Sequence, residues 1–216
     1  AKTAEKAVYS IFQPKREEAV AAIIAQMQNK DAAAYKDLDD EMKGYMDYVC
    51  DTVLTKNTGI LNSDLIDKND DTYISWAKDE VISLYTYLNY AISKNWIDTT
   101  KLGENSYSSS EEIYQEILNY LQDYLKNDSS FDKLLYENLI KSGSVTGNQV
   151  CAILYEQGVL PMDESAYNGL LSGSIGAFSW LTGKIQNLEI TPGQLALEPC
   201  SAGAVVTDPK TGKVLA

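Results

Sequence analysis

Ser109-Ser110-Glu111-Glu112-Ile113-Tyr114-Gln115-Glu116-Ile117-Leu118-Asn119-Tyr120-Leu121-Gln122-Asp123-Tyr124-Leu125 decides the fold class. Ile113, Ile117, Leu118, Leu121 and Leu125 recur at three- and four-residue steps, so they share one face of a helix. Ser109 followed by Glu112 has the spacing of a capping box just before that stripe. The same period continues on both sides. Upstream, Val20, Ile23, Ile24 and Met27 follow Pro14, and Leu38, Met42, Tyr45, Met46, Val49 and Val53 form a second stripe. Val81, Leu84, Tyr85, Leu88 and Ile92 form another. Downstream, shorter helices fit Leu134 to Ile140, Val150 to Tyr155 and Phe178 to Ile185. Gly59, Gly143, Gly158 and the stretch Gly103 to Ser110 punctuate them. Residues 1–196 therefore read as a succession of helices, and the fold class is mainly α.

A local pattern of apolar, cap, x, x, polar, apolar recurs in Ile97-Asp98-Thr99-Thr100-Lys101-Leu102, in Val145-Thr146-Gly147-Asn148-Gln149-Val150 and in Ile190-Thr191-Pro192-Gly193-Gln194-Leu195. The cap oxygen can accept from a free N–H of the first turn, and the flanking apolar residues sit at staple positions. These are three expected helix starts. More loosely, Tyr73 to Leu102 aligns with Tyr167 to Leu195. The alignment matches Val81 with Ile175, Leu84 with Phe178 and Ile92 with Ile185, as a duplicated two-helix unit would.

Composition narrows the chemistry. The 216 residues carry 31 acidic and 18 basic side chains, a net charge of −13. A phosphate backbone would be repelled, so nucleic acid is not an expected partner. No histidine is present, which removes Ser-His-Asp and Cys-His catalysis and His-based metal sites from this chain. Cys50, Cys151 and Cys200 lie far apart, and no C-x-x-C pair exists. Three buried thiols are expected, with one bridge plus a free thiol as the alternative. The longest apolar run, Ala19 to Ala25, is far short of the roughly 20 residues of a membrane span. No signal peptide is visible.

The period changes at the end of the chain. Gly203-Ala204-Val205-Val206-Thr207 is rich in strand formers, Asp208-Pro209-Lys210-Thr211-Gly212 has turn chemistry, and Lys213-Val214-Leu215-Ala216 begins a second strand. A short antiparallel β-hairpin is expected there. The chain starts at Ala1 without methionine and ends inside this strand pattern, which suggests an excised piece of a larger protein.

The hairpin resembles the opening strand pair of the transpeptidase domain of penicillin-binding proteins. The family pattern Gly-Ala-apolar-Val-apolar-Asp-Pro-x-Thr-Gly-x-apolar-Leu-Ala is matched at every fixed position from Gly203 to Ala216. The run Leu188 to Cys200 resembles the lead-in found in penicillin-binding proteins of clostridia-like bacteria, which carry a large helical module before this strand. The body, residues 15–200, resembles that module more loosely. This implies a division into an N-terminal helix at 1–14 leading into the module, a helical module at 15–200 and a truncated transpeptidase opening at 201–216. The parent implied is a class B-type D,D-transpeptidase of peptidoglycan synthesis, membrane-anchored and acting on the extracytoplasmic face, that is acylated by penicillin. Such chemistry needs a Ser-x-x-Lys nucleophile, a Ser-x-Asn partner and a Lys-Thr-Gly strand. In the family the nucleophile lies some way beyond the hairpin. No catalytic, cofactor-binding or metal residue is therefore expected here. The implied partners are the rest of the transpeptidase domain and peptidoglycan or division and cell-wall proteins.

Several motifs imitate function. Ser75-Trp76-Ala77-Lys78 and Ser130-Phe131-Asp132-Lys133 both fit Ser-x-x-Lys, but a chain this rich in serine and lysine produces such matches by chance, and both precede the hairpin. Lys210-Thr211-Gly212 spells the third family motif, but within a turn. Asp67, Asn69 and Asp71 fit positions 1, 3 and 5 of a calcium loop. The loop glycine is then Thr72, and the bidentate carboxylate is Lys78. A loose cation contact there would support a different reading, an independent extracellular calcium- or protein-binding helical module. A third reading is a helical adaptor of duplicated units. Asp39-Asp40-Glu41 and Glu111-Glu112 read as solvated helix faces. Tyr85, Tyr87 and Tyr90, and Tyr120 with Tyr124, read as packed rings with hydroxyls at the surface, with exposed rings that bind glycan or protein as the alternative.

Overall fold

The computed structural model describes residues 2–103 and 109–191. It is mainly helical, with nine α-helices among the described residues. The expected hairpin at 201–216, the Lys210-Thr211-Gly212 turn, Cys200 and the cap sequence from Pro192 onward lie outside the described residues. The chain divides into two compact units, Tyr9–Ser144 and a smaller one whose described residues are 2–8 and 145–191.

Helix α1 (Thr3–Gln28) runs without interruption through Pro14. Residues 14 and 15 both lie within this helix, and the two compact units part at Val8 and Tyr9. Proline in a helix interior removes an N–H and crowds the preceding turn. Packing offsets this. Phe12 is buried and stacks on Tyr136, with ring centroids 4.1 Å apart, and Ala19, Ile23 and Met27 continue the buried face. Arg16, the chain's single arginine, donates from Nε to Asp132 Oδ1 at 2.6 Å and from Nη2 to the Leu125 carbonyl.

In the larger unit, α2 (Asp40–Asp47) starts on an Asp39 cap and passes directly into a π-helical stretch, Tyr48–Asn57. The wider winding fits hydroxyl groups that bond five residues back: Thr55 Oγ1 to the Cys50 carbonyl at 2.7 Å, and Thr58 Oγ1 to that of Val53 at 2.8 Å. Short α3 (Asp71–Ala77) and α4 (Leu84–Ser93) follow. Val81 was expected to open the α4 stripe. It is instead 45% exposed in the turn before the helix, because Ser83 supplies the cap for Thr86 N–H. Helix α5 (Ser110–Leu125) has the Ser109 cap and buries Ile117, Leu118, Leu121 and Leu125. Helix α6 (Ser129–Lys141) starts five residues earlier than its stripe suggests, on Asp128. One antiparallel bridge, Leu61 opposite Ile97, joins two extended connections through Asn62 N–H to the Trp96 carbonyl and Asp98 N–H to the Ile60 carbonyl.

The smaller unit packs α7 (Gly147–Glu156) against α8 (Glu164–Ser172) and α9 (Ala177–Gln186). The Thr146–Gln149 capping box forms in full. The Asp98 cap, by contrast, starts only a single 3-10 turn, Thr99–Lys101. Asn148 ties the turn between α8 and α9 to α7. Its Nδ2 donates to the Leu170 and Ile175 carbonyls at 2.9 Å each, and its Oδ1 accepts from Ala177 N–H at 2.8 Å. Gly169 makes that turn possible, since a Cβ there would lie 2.5 Å from Ile175 Cδ1.

Both halves of the proposed duplication are helix pairs, α3–α4 and α8–α9, but matched positions differ in burial. Leu84 is 2% exposed and Phe178 is 87% exposed. The likeness lies in local geometry: Asn95, just past the end of α4, and Leu188, just past the end of α9, both have φ of 58°, and a buried isoleucine, Ile97 or Ile190, stands two residues further on.

The core of the smaller unit contains two unpaired polar atoms. Tyr155 Oη and Trp180 Nε1 are buried with no hydrogen-bond partner among the described residues. A buried, unmade hydrogen bond costs about 1–3 kcal/mol. Tyr155→Phe keeps the ring contacts to Trp180 and Tyr167, at 5.5 and 6.4 Å, and removes the orphan hydroxyl. It is expected to raise the stability of this unit by about 1 kcal/mol, seen as a higher urea midpoint with unchanged slope.

Candidate functional site

The residues singled out by sequence have structural employment. Ser75 donates its hydroxyl to the Asp71 carbonyl at 2.8 Å, and Lys78 lies just past the end of α3, so no Ser–Lys pair forms there. Ser130 and Lys133 are both exposed on α6. In the calcium-like loop, Asp67 Oδ1 accepts from Asn69 N–H at 2.9 Å, an Asx turn. The intervening Asp70 does the structural work: Oδ1 caps α3, while Oδ2 accepts from the Tyr90 hydroxyl at 2.8 Å and lies 3.8 Å from Lys94 Nζ. Among the described residues no group of three or more His, Cys, Asp or Glu side chains is placed to hold a metal.

Asp39 and Glu41 are not merely solvated. Asp39 accepts from Met42 N–H at 2.7 Å, and Glu41 accepts from the Tyr45 hydroxyl at 2.6 Å and pairs with Lys15. Tyr85 packs edge-on to Tyr114, and Tyr120 stacks near Tyr124. Cys50 and Cys151 are buried, free thiols. Burial pushes the Cys151 thiol up to about 11.

The larger unit holds a cavity of ≈ 430 Å³, within the range of small-molecule pockets. No sequence motif announced it, because its lining comes from separate segments. Asp47, Asp51 and Thr55 recur every four residues, so α2 and the π-helical stretch present them on one face. Trp76 comes from α3 and Tyr87 from α4. Trp76 stacks on Tyr87 at 5.4 Å and meets the Tyr35 ring edge-on at 5.4 Å. Glu80 reaches the cavity from the tight turn after α3, where its φ is 59°. The unusual π-helical winding was itself invisible in the residue pattern, and such windings often occur at functional sites.

The electrostatics are one-sided. Asp47, Asp51 and Glu80 face the cavity against one lysine, Lys68. Burial, and then the neighbouring Asp47 carboxylate, push the Asp51 carboxyl above its ordinary value. Burial keeps the Cys50 thiol well above its usual range, with Asp51 and Asp47 adding to the effect, so the thiol stays neutral. Tyr35 donates to Asp47 Oδ2 at 2.8 Å. The cavity thus offers hydrogen-bond acceptors beside aromatic walls, an arrangement suited to binding. No protein-family model matches the chain, and no curated protein or solved structure matches it significantly.

Proposed function

We propose that the chain is the non-catalytic helical module of a penicillin-binding protein, followed by the first strands of its transpeptidase domain. The observation that carries this reading is the sequence Gly203-Ala204-Val205-Val206-Thr207-Asp208-Pro209-Lys210-Thr211-Gly212-Lys213-Val214-Leu215-Ala216, with its fixed order of strand and turn residues. A mainly helical body upstream of it is compatible with that assignment. The parent is a serine D,D-transpeptidase of peptidoglycan synthesis on the extracytoplasmic face. Its Ser-x-x-Lys opens a helix downstream of Ala216. The module supplies a spacer or an interaction surface, in contact with the transpeptidase domain and with peptidoglycan or division proteins.

Fluorescent penicillin tests this directly. The parent protein is expected to carry one covalent label on a serine beyond Ala216, and residues 1–216 alone none. A parent that takes no label, or a label mapped to Ser75 or Ser130, overturns the assignment.

A further inference from the structure

We propose that the cavity of the larger unit is a binding site for a primary alkylammonium group, with the charged head at the neighbouring Asp47 and Asp51 and the methylene stem against Trp76. Three observations converge on this chemistry. The first is shape: ≈ 430 Å³ is far more than a bound water needs and suits a short-chain ligand. The second is donor–acceptor balance. Ionised carboxylates only accept, so a cavity with three of them selects a ligand rich in donors and positive charge. The third is an unused group. Tyr87 is 1% exposed, yet it lines the cavity, and its hydroxyl makes no hydrogen bond with any described residue. Buried polar groups are almost always paired, and one left open towards a cavity marks the place of a ligand atom.

The aromatic walls set the shape of the ligand. Trp76 and Tyr87 are stacked on each other and form one rigid apolar wall of the cavity. A flexible stem of several methylenes can lie along it and bury its apolar surface there. Lys68, which also lines the cavity, is the opponent, since its positive charge repels an incoming cation. Asp51 reinforces the assignment: its carboxyl, raised by burial and by Asp47, is relieved when a cation arrives. This inference concerns the larger unit alone and does not depend on the transpeptidase reading.

Cadaverine, a five-carbon diamine, is the probe, and 1-pentanol is its neutral counterpart. Calorimetric titration of residues 1–216 is expected to show saturable one-to-one binding of cadaverine and none of pentanol. Asp51→Asn should weaken binding about tenfold or more, as loss of a charge-assisted contact does. Tyr87→Phe should weaken it several-fold. Lys68→Met, at the exposed rim, should tighten it. Glu116→Gln, on the outer face of α5, should change nothing. Circular dichroism melts show whether the Asp51 and Tyr87 variants remain folded. If they do not, Lys68→Met decides the question. Absence of saturable binding, equal binding by pentanol, or an affinity unmoved by Asp51→Asn and Lys68→Met overturns the proposal.

Discussion

Phe131→Ala is expected to destabilise the larger unit by about 3–5 kcal/mol, the cost of emptying a fully buried aromatic site. Phe131 is 0% exposed. Its ring lies 5.7 Å from that of Tyr45 and 5.9 Å from that of Tyr48, so α6 meets the junction of α2 and the π-helical stretch at this residue. The loss spreads beyond area. The Tyr48 hydroxyl donates to Asp128 Oδ2, and Asp128 Oδ1 accepts from Ser130 N–H at 3.0 Å as the cap of α6. A cavity at Phe131 loosens Tyr48 and hence that cap. Phe131→Leu keeps most of the volume and should cost about 1.5 kcal/mol or less. Urea unfolding at neutral pH checks both, with the alanine variant showing much the lower midpoint at similar slope. Equal midpoints for alanine and wild type would show that the site collapses without cost.

Phe131 also shows what sequence conveys here. In the linear pattern it is the second residue of a chance Ser-x-x-Lys, Ser130-Phe131-Asp132-Lys133. It belongs with Leu135 and Leu139 on a four-residue step that starts from the Asp128 cap. Asp128 is hidden within the polar run Asn127-Asp128-Ser129-Ser130, so the apolar pattern starts the helix at Leu134. Strongly periodic segments such as α5 are legible because stripe and cap agree. α3 and α8 are not, since seven- and nine-residue helices are too short to repeat a stripe. The cavity is less legible still. Its acids come from one helical face, its rings from two other helices and Glu80 from a turn, and only the fold brings them together.

The electrostatic design is clearer from structure and composition together. With 31 acidic side chains, 18 basic ones and no histidine, carboxylates outnumber their cationic partners. Tyrosine fills the gap. Tyr35 donates to Asp47, Tyr45 to Glu41, Tyr48 to Asp128, Tyr90 to Asp70 and Tyr167 to Glu156. A phenol satisfies a carboxylate without the desolvation of a second charge, and its ring packs at the same time. Five of the fifteen tyrosines thus serve to place negative charge in the folded chain.

Glu156 carries this logic furthest and gives the pH-dependent prediction. It lies at the end of α7, and its carboxylate caps the start of α1: Oε1 accepts from Ala4 N–H and Oε2 from Glu5 N–H, each at 2.8 Å, while the Tyr167 hydroxyl donates to Oε1 at 2.6 Å. Negative charge at a helix start is favoured by the axial dipole as well as by the bonds. Burial opposes ionisation, but the Tyr167 hydroxyl and the backbone N–H groups outweigh it and hold the carboxyl below its ordinary value. A depressed folded-state value means that the stabilisation is complete above the unfolded-state value, about 4.3. It is lost as pH falls through the lower folded-state value. Glu156→Ala is expected to cost the smaller unit about 2–3 kcal/mol at pH 7, since two helix N–H groups and a hydroxyl lose a charged acceptor. Glu156→Gln should cost less at pH 7 and flatten the decline in stability below about pH 5. Amide hydrogen exchange at Ala4 and Glu5 reads the interaction where it acts: both amides should exchange faster in either variant at neutral pH, and wild type should approach the variants on acidification. Protection that is equal in all three proteins, or a wild-type acid profile matched by Glu156→Gln, would show that the carboxylate is a bystander and that α1 is held by its apolar contacts alone.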